Sequence, residues 1–220
     1  MDLKVIRHTS FVLFLLSTSA AGQIPVAQTS VYDIAPESSI LRVYVGRAGV
    51  LARMGHNHVI HTRDLSGTII LADNRDDSSA SFSFPVDSLT VDDPEERDRA
   101  GEDYESEPDE SAIAGTRRNM LGAGVLNSEE FPVVEATVTT VTSAQEQWQF
   151  DVQLQVQDSN FSYRIPASVT INGDVIAVQA ELTLNHEQLG LSPFTALGGA
   201  LRVAEDLDFE IAIVAIARSQ

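Results

Sequence analysis

Residues 149–184 read QFDVQLQVQDSNFSYRIPASVTINGDVIAVQAELTL, with apolar side chains at every second position over most of the stretch. Successive side chains of a β-strand point to opposite faces, so this alternation predicts strands with one apolar and one polar face. Asn172-Gly173 interrupts the pattern and is a strong hairpin signal, because both central positions of a type I′ turn need a positive φ. The stretch therefore predicts consecutive antiparallel strands.

The same alternation extends from this hairpin in both directions along the chain. Strands are predicted over residues 39–47, 56–62, 65–71, 79–86, 134–139, 149–156, 162–171, 174–184 and 207–216. About eight such strands form either a sandwich or a closed antiparallel barrel, and a barrel of that size fills its interior or holds one small apolar ligand. A short helix is predicted over residues 111–121, ending at Gly122.

Residues 92–111 break the strand pattern with many Asp, Glu, Pro and Gly residues. We interpret this stretch as an acidic, solvated loop insertion in the barrel. Its paired carboxylates, Asp92-Asp93 and Glu95-Glu96, are then predicted to lie in water, where no burial raises a carboxyl pKa. These carboxylates are therefore expected to contribute to solubility and not to form a catalytic acid pair.

The composition excludes several functions. The chain has 14 Lys and Arg against 32 Asp and Glu, a net charge of -18, and it contains no cysteine. Such acidity argues against nucleic acid and against electrostatic docking on anionic lipids. Without cysteine there are no disulfides, zinc-thiolate sites or thiol nucleophiles.

The first 22 residues have the layout of a secretory signal peptide. Lys4 and Arg7 precede a short apolar run, and small residues follow it up to Gly22. Residues 23–30 form a short polar lead-in. We therefore expect export to the periplasm or beyond, and no later segment is apolar enough to suggest an integral membrane protein.

The histidines are candidates for a binding site. His56 and His58 share a strand face, His61 lies on the opposite face, and His186 has the inward parity of its own strand. His56, His58 and His186 could ligate zinc or copper, meet the polar head of a bound lipid, or hydrogen-bond within the protein at one end of the barrel. These alternatives stay open.

Other candidate sites are weaker. Arg117 and Arg118 could clamp a phosphate, but an exposed helical pair that balances the acidic insertion is the preferred interpretation. Neither Ser66 nor Ser192 stands in the Gly-x-Ser-x-Gly setting of a hydrolase nucleophile. The sequence therefore predicts a protein that is not an enzyme.

Short motifs in a characteristic order resemble the YceI-like proteins, a family of secreted bacterial lipid-binding barrels. The motifs are Tyr32-Asp33-Ile34, Gly55-His56-Asn57-His58, Leu65-Ser66-Gly67-Thr68-Ile69, Asn119-Met120-Leu121, residues 126–132 (LNSEEFP) and Leu189-Gly190-Leu191. The resemblance covers residues 31–218. It departs from the family pattern in the length of the acidic insertion and in Leu189, which replaces an aromatic residue.

The resemblance implies a lipocalin-like barrel whose apolar tunnel holds a long amphiphile such as a polyisoprenoid, a quinone tail or a fatty-acid-like lipid, without a cofactor. It leaves the oligomeric state open, with a homodimer as one alternative. The tunnel-lining residues would be Val43, Val45, Phe82, Phe84, Phe150, Val152, Leu154, Tyr163, Ile165, Val178, Leu182, Phe209 and Ile211. His56, His58 and His186 would meet the head group or close the barrel end.

Overall fold

The structure is a computed structural model that describes residues 29–219. Within these residues the chain forms twelve strands and two α-helices. The signal peptide predicted over residues 1–22 lies outside the described residues. The strands are β1 (Thr29–Ile34), β2 (Ile40–Ala48), β3 (His58–Thr62), β4 (Ser66–Ala72), β5 (Ser79–Pro85), β6 (Thr90–Val91), β7 (Val133–Ala144), β8 (Gln147–Val156), β9 (Ser159–Asn172), β10 (Val175–Asn185), β11 (Thr195–Ala196) and β12 (Leu201–Ala217). The helices are α1 (Pro94–Ala100) and α2 (Glu110–Leu121).

Eight of the strands close into a barrel. Their order is β1-β4-β5-β7-β8-β9-β10-β12, and β12 pairs back to β1. Every pairing in this ring is antiparallel. The predicted antiparallel barrel of about eight strands is therefore confirmed.

Strand β12 is long enough to serve two neighbours on one edge. It pairs with β1 near its C-terminal end and with β2 along its earlier part, where a bulge falls between Val203 and Leu207. Strands β3 and β6 continue the sheet outward from β2. The wall therefore splits along β12, and His58 at the start of β3 and His56 in the segment just before it lie beside the barrel opening.

The predicted hairpin joins β9 to β10, with its turn shifted by one residue. Asn172 pairs with Val175, so the two turn residues are Gly173 and Asp174. Only Gly173 has a positive φ, 58°. The predicted type I′ turn centred on Asn172-Gly173 is therefore wrong, and glycine instead occupies the first central position, as in a II′ turn.

One end of the barrel is filled with side chains. Tyr32, Trp148 and Ile176 are buried there in one cluster. Phe150 and Val178 pack against this cluster, which corrects their prediction as tunnel residues. Both side chains point inward, as the alternation predicts, but along the barrel axis they lie at the level where large side chains fill the interior.

The acidic insertion contains a helix that the sequence pattern did not reveal. Asp93 caps α1 by accepting hydrogen bonds from the Glu95 and Glu96 backbone N–H groups, and Pro94 follows at the first helical position. Glu96 and Arg97 are buried in this helix. The prediction of a solvated loop over residues 92–111 is thus wrong here.

Helix α2 confirms the predicted short helix and lies next to the barrel opening. Asp109 caps it, and the chain leaves it at Gly122. Ile113, Met120 and Leu121 pack against the cluster that surrounds the open end. The helix therefore covers this end with its apolar residues.

We expect Gly67→Ala to weaken the pairing of β4 with β5. Gly67 has a φ of 149°, and a Cβ built on it would lie 1.9 Å from the carbonyl oxygen of Ser81. Backbone strain and overlap together should lower the free energy of unfolding by at least about 2 kcal/mol, measured by urea titration. Gly124→Ala is the control, because nothing lies within 4 Å of its Cβ position. Equal stability of the two variants would contradict this close contact.

Candidate functional site

The open end of the barrel encloses an apolar cavity of about 500 Å³. All of the predicted tunnel residues line it except Phe150 and Val178. Helix α2 and the segment around Leu189 complete the lining. The volume falls in the range of sites that hold small molecules, and most of the wall consists of aliphatic and aromatic side chains.

The polar lining of the cavity carries no negative charge. None of the described residues that line it is Asp or Glu, although the chain contains 32 of them. Arg47 and Arg202 are its charged side chains, and His56, His58 and His186 also contribute. The cavity is therefore neutral to positive within a strongly acidic protein.

The three predicted histidines all line the cavity at its polar end. The rings of His56 and His58 are 6.3 Å apart between centroids, and the Nδ1 of His56 lies 3.4 Å from Ser106 Oγ. His186 is buried and donates from Nδ1 to the carbonyl oxygen of Glu205 at 2.9 Å. All three histidines therefore border the cavity, with His56 just outside the strand on which the sequence placed it.

His58 is held by a buried carboxylate. Its Nδ1 donates to Asp92 Oδ2 at 2.6 Å, and the Asp92 side chain is fully buried. The backbone of Asp92 donates to the carbonyl oxygen of Val59 at 2.7 Å, while Asp92 Oδ1 accepts from the Val59 N–H at 3.0 Å. These bonds fix the carboxylate behind the histidine strand.

Arg97 completes this network from α1. Its guanidinium donates to the second carboxylate oxygen of Asp92 and to the carbonyl oxygen of Asn57. It also donates to the carbonyl oxygens of Tyr104 and Ser106, so it ties the acidic segment to the histidine strand. A buried charge pair held by several further hydrogen bonds fixes geometry as well as charge.

The network keeps Asp92 ionised. Burial of the carboxyl opposes ionisation, but the hydrogen bond and charge of His58, with the Val59 N–H and Arg97, outweigh it. The pKa of Asp92 therefore lies below its ordinary value of 3.8. The prediction that this carboxylate is solvated and serves only solubility is wrong, because it orients a cavity histidine.

With Nδ1 engaged by Asp92, the Nε2 atom of His58 is left for the cavity side. Thr116 Oγ1 on α2 is 3.4 Å from it. In the neutral ring Nε2 accepts a hydrogen bond, and in the protonated ring it donates one.

The structure does not bring the three histidines of the metal alternative together as one ligand group. Among residues 29–219, no group of three or more metal-ligating side chains converges. The Nδ1 atoms of His58 and His186 donate to Asp92 and to the carbonyl oxygen of Glu205, so these two atoms do not serve as metal ligands here. The histidines act here as hydrogen-bonding groups.

Arg117 and Arg118 lie outside the cavity lining. Arg117 donates to the carbonyl oxygen of Asp87 at 2.6 Å, and Arg118 is exposed. The cationic groups at the cavity are instead Arg47 and Arg202, which sequence analysis missed. Val43 and Val45 point inward, and the same alternation extended to residue 47 would have identified Arg47. Arg202 lies before the bulge in β12, so the alternation of the later part of the strand does not identify it.

A second polar network braces the outer face of the same strands. Arg42 bonds to Glu96 of α1 and to Glu210 at 2.8 Å, and Tyr44 donates to Glu210 at 2.9 Å. Burial and the Glu210 hydrogen bond raise the pKa of Tyr44 to about 12. Here His61 faces outward, as predicted, and burial lowers its pKa. The helix α1 is thereby fastened to the barrel wall.

An antiparallel barrel that is hollow at one end has the architecture of the class of binding proteins with an interior cavity. The YceI-like domain family matches residues 32–215. The chain belongs to this family, as its motifs suggested. No curated protein matches the chain in sequence.

Solved structures show the same fold at low sequence identity. BcnA of Burkholderia cenocepacia is 11% identical, with a TM-score of 0.60 over 82% of this chain and 98% of BcnA. The YceI protein of Campylobacter jejuni is 8% identical, with a TM-score of 0.53 over 73% of this chain and 85% of that protein. At these identities the likeness concerns the fold alone.

We expect Asp92→Asn to destabilise the protein by about 3 kcal/mol at neutral pH, because it leaves the buried Arg97 without its charge partner. The folded pKa of Asp92 is depressed, so its contribution is complete above pH 3.8 and is lost as the pH falls through the lower folded value. The difference between wild type and variant should therefore shrink in strong acid.

Urea titrations at a series of pH values measure this difference. Asp98→Asn is the matched control on α1, since Asp98 is exposed and its substitution should change stability by less than about 0.5 kcal/mol. If Asp92→Asn is as stable as Asp98→Asn, Asp92 does not hold the histidine strand.

Proposed function

We propose that this protein is an exported, non-enzymatic binding protein that sequesters or carries a long apolar amphiphile. The observation that carries the proposal is the apolar cavity, which ends in a group of oriented histidines and contains no acidic side chain. Membership of the YceI-like family supports it. A polyisoprenoid, a quinone tail or a fatty-acid-like lipid has the matching division into apolar chain and polar head.

The apolar wall supplies the affinity. Burial of about ten methylene groups contributes roughly 8 kcal/mol before the cost of immobilising the chain. Phe82, Leu154 and Leu182 line the cavity on different strands, so the chain would be enclosed from several sides. Such contacts select for apolar length and do little to distinguish one chain from another.

The head group would lie at the histidine end. His58 is fixed by Asp92, Thr116 Oγ1 lies 3.4 Å from its Nε2, and Asn119 of α2 also lines the cavity. A head group there would accept or donate a hydrogen bond at His58 Nε2, according to the protonation of the ring. Arg47 at the same lining favours a head without positive charge.

Export forms part of the proposal. The layout of residues 1–22 supports a cleaved signal peptide. The absence of cysteine from the chain leaves its folding independent of the redox state of the compartment. Among the described residues, no helix is both long and apolar enough to cross a bilayer.

The test is recovery of lipid from the protein purified from its own host, by solvent extraction and native mass spectrometry. We expect a bound amphiphile in the wild type. Leu154→Trp should reduce the recovered amount at least about tenfold, because the added ring fills the cavity and each 1.4 kcal/mol of lost affinity is a factor of ten. Gln155→Trp is the control, since residue 155 is exposed on the other face of β8.

Circular dichroism and urea titration establish that both tryptophan variants are folded before their lipid content is compared. Equal lipid in the two variants would place the ligand outside the cavity. A wild type that yields no lipid and also binds no added fatty acid would overturn the proposed function.

A further inference from the structure

Two loops meet at the histidine end of the barrel and form what we call the lip, residues 49–55 and 194–201. The N–H of Leu51 donates to the carbonyl oxygen of Ala200 at 2.9 Å. Gly49, with a φ of 96°, approaches so closely that a Cβ there would lie 2.4 Å from the same oxygen. The two loops are therefore held together as one surface.

The lip exposes large apolar side chains to solvent. Val50 is 91% exposed, Met54 68% and Leu197 65%, and these are the most exposed large apolar residues of the part that the structure describes. Phe194 is 41% exposed and also lines the cavity. Exposed apolar groups clustered at a cavity entrance mark an interaction surface more often than isolated ones do.

The charge of the lip is opposite to that of the chain. Residues 38–63 and 190–204 contain no Asp or Glu, in a protein with a net charge of -18. Arg47, Arg53 and Arg202 lie in or beside the lip, although Arg202 also approaches Glu205 at 3.6 Å. The net charge of the whole chain argues against electrostatic docking on anionic lipids, but this surface differs from the average.

The lip is continuous with the cavity. Gly55, Phe194 and Leu201 line the interior while their neighbours in the same loops face solvent. The acidic segment contacts the chain immediately after the lip, where Ser106 approaches His56 and Asn57 donates to the carbonyl oxygen of Asp103 at 3.0 Å. An amphiphile that entered along the lip would therefore pass directly from an apolar, basic surface into the apolar interior.

We propose that the lip docks on a lipid bilayer that contains anionic head groups, with Val50, Met54 and Leu197 inserted and the arginines at the phosphate level. This surface fits a bilayer because exposed aliphatic side chains with arginines in the same loops or beside them match its apolar interior and anionic face together. Docking is a property of the outer surface. Docking would give the ligand of the proposed function a route from the bilayer into the cavity. Docking itself does not require that a ligand be bound.

The experiment is co-sedimentation of the full chain with vesicles of phosphatidylcholine alone or mixed with phosphatidylglycerol. We expect binding to the mixed vesicles, weaker binding to the neutral ones, and loss of the difference at high salt. Val50→Ser with Leu197→Ser should weaken binding at least about tenfold, since each side chain buries enough apolar area for such a factor. Arg53→Glu should reduce the preference for phosphatidylglycerol.

The matched control is Val175→Ser with Ile216→Ser, which removes exposed apolar side chains from paired positions away from the lip. It should sediment with vesicles as the wild type does. Sedimentation of the lip variant at the wild-type level would overturn the proposal, as would a wild type that stays in the supernatant with both vesicle types. A dimer in solution that the lip substitutions dissociate would assign this surface to a second copy and would equally overturn it.

Lipid extraction keeps this test separate from that of the proposed function. A lip variant that fails to bind vesicles yet retains extractable lipid supports docking and leaves the cavity intact. If the wild type binds vesicles but never yields lipid, docking stands and the proposed ligand function fails.

Discussion

The buried carboxylate of Asp92 is the interaction on which the polar end of the barrel depends. It joins His58 on β3 to Arg97 on α1, and Arg97 in turn holds the carbonyl groups of Tyr104 and Ser106. Asp92 adopts a positive φ of 57°, a conformation that Asp tolerates better than most residues. The acidic insertion is thereby an ordered part of the site, because its first residue provides the negative charge that both partners need.

The second constraint is the uneven filling of the barrel interior. At one end Tyr32, Trp148 and Phe150 occupy the interior, whereas the other end is lined mainly by smaller aliphatic side chains and covered by α2. At any one level along its axis, a barrel of about eight strands has room either for such a layer of large side chains or for a ligand. The filled end supplies hydrophobic stability, so the open end can remain hollow without loss of the fold.

The strands and the inward stripe of residues could be predicted because alternation reports a face directly, as Leu154, Tyr163 and Leu182 show. Alternation does not report depth along the barrel axis, so it predicts Phe150 and Val178 as tunnel residues although they pack against the cluster at the filled end. It also says nothing of charges buried by partners distant in sequence. Asp92 and Glu96 look like solvent-exposed acids because His58 and Arg42, which bury and neutralise them, are more than thirty residues away.

The distribution of charge gives the site its direction. The acidic residues are excluded from the cavity lining and from residues 38–63 and 190–204, so the net charge of -18 is borne by the remaining surface. That surface repels other copies of the chain and anionic membranes alike. An approach to anionic lipid is then least unfavourable when Arg47, Arg53 and Arg202 face it, which is the orientation that presents the cavity entrance. A strongly acidic protein can in this way be oriented by the same charge that keeps it in solution.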